Sequence, residues 1–154
     1  MKNKNQYSIE DLLDVMSELR NKCPWDQKQT FDTLKKLTIE ETYELVDAID
    51  KKKYDDIKDE LGDLLLHIIF YSKIASENKK FNFNDVLNSL IEKLIYRHPH
   101  IYGDIKVSSI DEVKKNWERL KVKDKNKGIL SGVPNHLPSL IKAHRVQDLS
   151  LIHI

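Results

Sequence analysis

The sequence predicts an all-α chain built as a bundle of four to five helices. Three observations carry that prediction. Apolar residues recur every three or four positions, the period of a helix face, and not every two. Breakers are scarce, with 4 Gly and 4 Pro in 154 residues, and three of the prolines fall beyond position 98. Serines stand three residues ahead of an acid at Ser8/Asp11 and Ser109/Glu112, the pattern that opens a helix.

At 154 residues there is room for one ordinary domain. Charge is balanced, 26 Lys and Arg against 25 Asp and Glu, so there is no basic footprint for duplex nucleic acid. The single cysteine, Cys23, excludes an internal disulfide and fits a reducing compartment. Residues 1–7 are polar and do not read as a signal peptide. The longest apolar run, Leu64 to Tyr71, is far short of the roughly 20 residues a membrane span needs. A soluble cytoplasmic protein is the expectation.

The first helix starts at Ser8 and carries Ile9, Leu12, Leu13, Met16 and Leu19 as its apolar stripe, ending near Arg20. Asn21 to Phe31 reads as a loop, with Pro24 blocking helix propagation. Trp25 in it is either a plug for the core or an aromatic face for a nucleobase. The second helix, capped by Asp32, runs to about Asp50, and the third from Asp55 or Asp56 to about Asn78. The middle of the third, LLLHIIFYS, is apolar almost all round, which suggests burial by a second subunit, most simply in a dimer. Gly62 in mid-helix costs about 1 kcal/mol relative to Ala, a cost that close approach of another helix or a ligand would explain. His67 reads as a core or interface histidine. The fourth helix is Asp85 to Arg97, with Lys93 and Arg97 one turn apart, and His98-Pro99-His100 ends it. Residues 101–107 read as loop, Ser109 opens a short helix to about Lys121 with Trp117 as a packing anchor, and KVKDKNK, residues 121–127, reads as a charged linker. A further helix begins at Leu137.

The chemistry concentrates in Ile39 to Leu66, IEETYELVDAIDKKKYDDIKDELGDLLL. Glu41 and Glu44 share one helix face, and so do Glu60 and Asp63. In an antiparallel hairpin, facing residues have position numbers of constant sum. Glu41 with Asp63 and Glu44 with Glu60 both give 104, which centres the turn on position 52 in the Lys run. One fold thus brings four carboxylates to one level of a helix pair. Acid runs are usually solvated faces, but these alternate with Leu45, Val46, Ile49, Leu61, Leu64 and Leu65. Carboxylates crowded in partly buried surroundings cannot all stay ionised. A hard cation relieves the repulsion, and an all-oxygen ligand set suits Mg²⁺, or Mn²⁺.

This stretch resembles the MazG family of nucleotide pyrophosphohydrolases, whose motif is EExxE, a spacer, then ExxD. It reads here Glu40-Glu41-Thr42-Tyr43-Glu44 and Glu60-Leu61-Gly62-Asp63. Cys23-Pro24-Trp25-Asp26 with Gln29-Thr30, the run from Lys93 through Arg97-His98-Pro99-His100, and Trp117-Glu118 also look like the first repeat of two-domain bacterial members, over roughly residues 8–148. The resemblance implies a MazG-like domain at residues 1–122. Residues 123–148 are then a linker and the start of a helix leading to a second repeat absent from this sequence. Residues 149–154, LSLIHI, do not resemble the family and are expected to be a non-native tail.

The same resemblance implies an Mg²⁺-dependent nucleoside triphosphate pyrophosphohydrolase. Attack at the α-phosphorus would release NMP and pyrophosphate from an NTP or dNTP. Glu41, Glu44, Glu60 and Asp63 would hold metal, with Glu40 and Glu41 catalytic and Glu40 orienting the water. Lys93 and Arg97 would neutralise phosphate charge and Trp25 would meet the base. No GxxxxGK[ST] loop is present, which excludes a P-loop NTPase. Glu-x-x-Glu and Glu-x-x-Asp stand where a di-iron bundle would carry Glu-x-x-His. The competing expectation is a nucleotide-binding or assembly module whose catalysis lies in the second repeat.

Overall fold

The structure is a computed structural model that describes residues 6–125, 130 and 133–152. The described residues hold eight helices and no strand, so the all-α expectation is met. Two of the eight are single turns. The chain divides into two compact units, residues 1–88 and 89–154.

In the first unit, α1 (Ile9–Lys22) opens with the expected capping box: Ser8 accepts from the Asp11 N–H at 3.3 Å, and Asp11 accepts from the Ser8 N–H at 3.0 Å. Cys23 closes α1 and caps α2 (Pro24–Lys28). The segment expected as loop is therefore partly helical. Pro24 both ends one helix and starts the next, because the first turn of a helix has no need of its missing N–H.

α3 (Phe31–Asp50) is capped by Thr30 rather than Asp32, through a reciprocal pair with Thr33 at 3.2 and 2.9 Å. α4 (Tyr54–Glu77) returns antiparallel beside it. The reversal is short because Lys52 adopts φ 55°, the left-handed region, at the position where the sequence centres the turn. Tyr71 zips the pair together: its hydroxyl lies 2.6 Å from Thr38 Oγ1, and its ring stacks on Phe31 at 5.4 Å.

Met16, Leu34, Ile69, Phe70 and Ile74 form the core of this unit, each at most 4% exposed. Burying a side chain of this size contributes about 1.5–3 kcal/mol. The periodicity that placed Met16 and Ile69 inside leaves much apolar surface outside: Ile39, Tyr43, Val46 and Ile49 on α3, and Leu61 and Ile68 on α4, remain about half exposed. Among the described residues, no helix is long and apolar enough to cross a membrane.

α5 (Phe83–Arg97) runs from the first unit into the second. The second unit continues with α6 (Pro99–Tyr102), α7 (Ile110–Lys125) and α8 (Ser139–Ile152). Residues 101–107 are thus not all loop, since Pro99 starts a turn of helix. α7 runs through most of the stretch expected as a charged linker, whose last residues lie outside those described. α8 extends past position 149 to Ile152, with Leu149 buried.

At Gly62 the described chain leaves open space. A Cβ built there meets nothing within 4 Å, so no described part of the chain makes the close approach that would explain it. Gly62→Ala is expected to stabilise the chain by about 0.5–1 kcal/mol in urea unfolding, because helix interiors favour Ala and space is open. A loss of stability would show that something occupies that space in solution.

Candidate functional site

The hairpin of α3 and α4 positions the acids. Their carboxyl groups project from facing sides of two antiparallel helices. Glu41, Glu60 and Asp63 each offer an oxygen such that the three atoms lie within 4.8 Å of one another. Glu41 and Glu60 are partly buried, and Asp63 is exposed. Three of the four residues sharing the common sum are thus brought together.

Glu44 is exposed and not part of that trio, yet its charge acts on both Glu41 and Glu60. Three residues advance a helix by about 300°, so Glu44 is turned about 60° from Glu41 on the same side. Glu40 is exposed beside them, and its charge also reaches Glu41.

The electrostatics match the crowding. Burial holds the Glu41 carboxyl above its ordinary range, and the charges of Asp63, Glu44 and Glu40 push it further, against a side-chain hydrogen bond with Glu60 that lowers it. Burial likewise raises Glu60, reinforced by Glu44, Glu41, Asp63 and Asp56. His67, one turn after Asp63, is 7% exposed, and its Nδ1 has no hydrogen-bond partner among the described residues. Burial lowers its pKa, while Asp63 pulls it the other way. It sits in the packed interior, as the sequence suggests.

These oxygens suit a hard divalent cation. They are carboxylates only, they are close enough to share one ion, and two of them resist ionisation without a counter-charge.

Trp25 lies on α2 with 54% of its surface exposed, so it is not a core plug within this chain. Lys93 and Arg97 lie in the second unit. Lys93 is exposed, whereas Arg97 is 8% exposed with its guanidinium 5.4 Å from the centroid of Trp117. Lys121 also lies over Trp117, at 4.7 Å, so Trp117 is a packing anchor between cations.

Arg20, Asp26 and Gln29 are buried or nearly so and were not singled out by sequence as a group. Arg20 showed only the ordinary signal of a cation in a helix's last turn.

Known proteins resemble this chain in sequence and in fold. Residues 29–102 match the profile of the MazG nucleotide pyrophosphohydrolase domain. The chain is 40% identical over 146 residues to a nucleoside triphosphate pyrophosphohydrolase of Escherichia coli K12, covering 90% of this chain and 56% of that one. It is 45% identical over 145 residues to the nucleoside triphosphate pyrophosphohydrolase/pyrophosphatase MazG of Thermotoga maritima, covering 91% and 55%. The chain belongs to the MazG family. The crystal structure of a mazG-related protein from Thermotoga maritima superposes with a TM-score of 0.63 at 26% identity, covering 73% of this chain and 97% of that one. The MazG profile spans α3, α4 and α5 and so includes every acid of the cluster. The chain spans little more than half the length of the curated MazG relatives named here.

Glu41 and Glu60 both bind a proton more tightly folded than unfolded. Their contribution to stability is therefore full below the ordinary Glu range and is lost as pH rises through their raised values. In thermal melts without divalent cations, stability is expected to decline from about pH 4.5 upward on this account. Glu60→Gln is expected to flatten that decline, and an unchanged pH profile would show that the carboxylates do not crowd one another.

Proposed function

We propose that this chain hydrolyses nucleoside triphosphates at the α-phosphorus, releasing NMP and pyrophosphate in a divalent-cation-dependent reaction. The observation that carries the reading is the trio Glu41, Glu60 and Asp63, converging from two helices inside the MazG domain. Mg²⁺ is the ion proposed, with Mn²⁺ as a substitute, because the ligands are hard oxygens. Glu41, Glu60 and Asp63 would hold it, with Glu44 joining from the next turn. A bound cation supplies Lewis-acid activation of phosphoryl oxygens and of water.

The chain's own residues have distinct tasks. Glu40, beside the ligands and exposed, orients the attacking water and accepts its proton. Glu41 serves both as ligand and as part of the base beside Glu40. Trp25 offers an exposed ring against which any nucleobase can stack. Lys93 and Arg97 are proposed to neutralise charge on the departing pyrophosphate. Support for Lys93 is its exposure; for Arg97 it is the Trp117 contact, which holds its guanidinium plane.

The exposed apolar residues of α3 and α4 support a homodimer as the working form. The MazG relatives' names support a role on nucleoside triphosphates, and the cytoplasm is the proposed location. A second reading follows from coverage: the relatives extend well beyond the matched region, so this chain would bind nucleotide while catalysis resides in the remainder.

Product analysis decides between them. With Mg²⁺ and each NTP, pyrophosphate and NMP are expected in equal amounts without orthophosphate. The pair of substitutions Glu41→Gln and Glu60→Gln should lower the rate by at least about a hundredfold. Stabilisation by Mg²⁺ and NTP without turnover would favour the binding module.

A further inference from the structure

Arg20 joins the ends of three helices. From the last turn of α1, its Nε and Nη2 donate to the Glu77 carboxylate at the end of α4, at 3.1 and 3.0 Å. Its Nη1 donates to the backbone carbonyls of Asp26 and of Gln29, the latter at 3.1 Å. Those carbonyls lie at the C-terminal end of α2, where the Asp26 carbonyl also accepts from the Gln29 N–H at 3.1 Å. The guanidinium also lies 5.8 Å from the centroid of Phe70, a core ring.

Gln29 carries the connection onward. It is 8% exposed; its Nε2 donates to the Trp25 carbonyl at 3.0 Å, and its Oε1 accepts from the Thr33 hydroxyl at 2.8 Å. A continuous line of hydrogen bonds thus runs from Glu77 through Arg20 and Gln29 to Trp25.

A five-residue helix is too short to hold its own shape in water. The orientation of α2 must come from outside it. The bidentate Arg20–Glu77 fork is anchored on the long helices α1 and α4, and Gln29 ties α2 to α3. Trp25 itself is more than half exposed. Its exposed ring is therefore aimed by the backbone of α2, and that backbone is aimed by Arg20.

We propose that Arg20, held by Glu77 and acting through Gln29, is a positioning residue that sets the ring of Trp25 for the nucleobase and so governs affinity for the base-bearing part of the substrate. This rests on the stacking role proposed above for Trp25. Lysine cannot replace Arg20. One ammonium nitrogen lacks the fork that meets a carboxylate and two carbonyls together.

The test compares Arg20→Lys and Glu77→Gln with the parent chain on two substrates, an NTP and methyl triphosphate, which has no base. Both variants are expected to raise KM for the NTP between about threefold and tenfold with little change in kcat, and to leave methyl triphosphate kinetics unaltered. In a Trp25→Ala background, Arg20→Lys should add nothing further, since both changes remove one interaction. Equal losses on both substrates, or additive losses in the double variant, would overturn the inference and make Arg20 a stability residue only.

A binding arm separates this outcome from failure of the catalytic reading. In a Trp117→Phe chain, Trp25 is the sole tryptophan, and its fluorescence reports base stacking without turnover. Quenching by NTP that weakens in Arg20→Lys supports the inference even if no pyrophosphate forms. Quenching unchanged by Arg20→Lys overturns it, and no quenching in the parent overturns it together with the stacking role.

Discussion

Electrostatic repulsion inside the α3–α4 hairpin is the constraint around which this molecule is arranged. Glu41, Glu60 and Asp63 would each be more stable apart. They are held together because two long helices are pinned back to back by Tyr71, Thr38 and Phe31 and by a core of Leu34, Ile69 and Phe70. The packing energy of the hairpin works against the repulsion, and the raised pKa values of Glu41 and Glu60 reflect burial first and the neighbouring charges second. A divalent cation is the natural relief, so the binding site and the strained element are the same object.

The turn makes this possible at small cost. Lys52 takes a left-handed conformation that costs an L-residue roughly 1–2 kcal/mol. In return the reversal is tight and the register is set. A loop longer by one residue would shift the constant sum and rotate the acids of α4 away from those of α3. The pairing of Glu41 with Asp63 is thus decided at Lys52, several turns distant.

Around that rigid centre the flanks are held differently. α1 docks on α4 through Met16 and the core, and α2 is held by hydrogen bonds to its carbonyls together with burial of Asp26. Trp25 stays exposed on a braced support, which suits a contact that must accept and release a ligand. In the second unit the cations serve packing as well as charge: Arg97 and Lys121 flank Trp117, and Arg145 pairs with the buried Glu118.

Much of this was legible in the sequence. Helical class, the Ser8 capping box and the meeting of Glu41, Glu60 and Asp63 follow from local periodicity and from one turn position, and these depend only on neighbours in the chain. The MazG motif is readable for the same reason, since its spacing is the helix repeat. Two features the sequence reading placed less well are local: Thr30 caps α3 through Thr33, three residues on, and Pro24 opens a turn of helix from its first position. Others depend on partners far away. Arg20 was an ordinary helix-end cation until α4 brought Glu77 to it across 57 positions. Sequence alone determined which residues share a helix face, because that is a matter of 3.6 residues per turn. Only the tertiary structure decided which faces meet, because that is settled by packing and hydrogen bonding between segments that have no fixed separation in the chain.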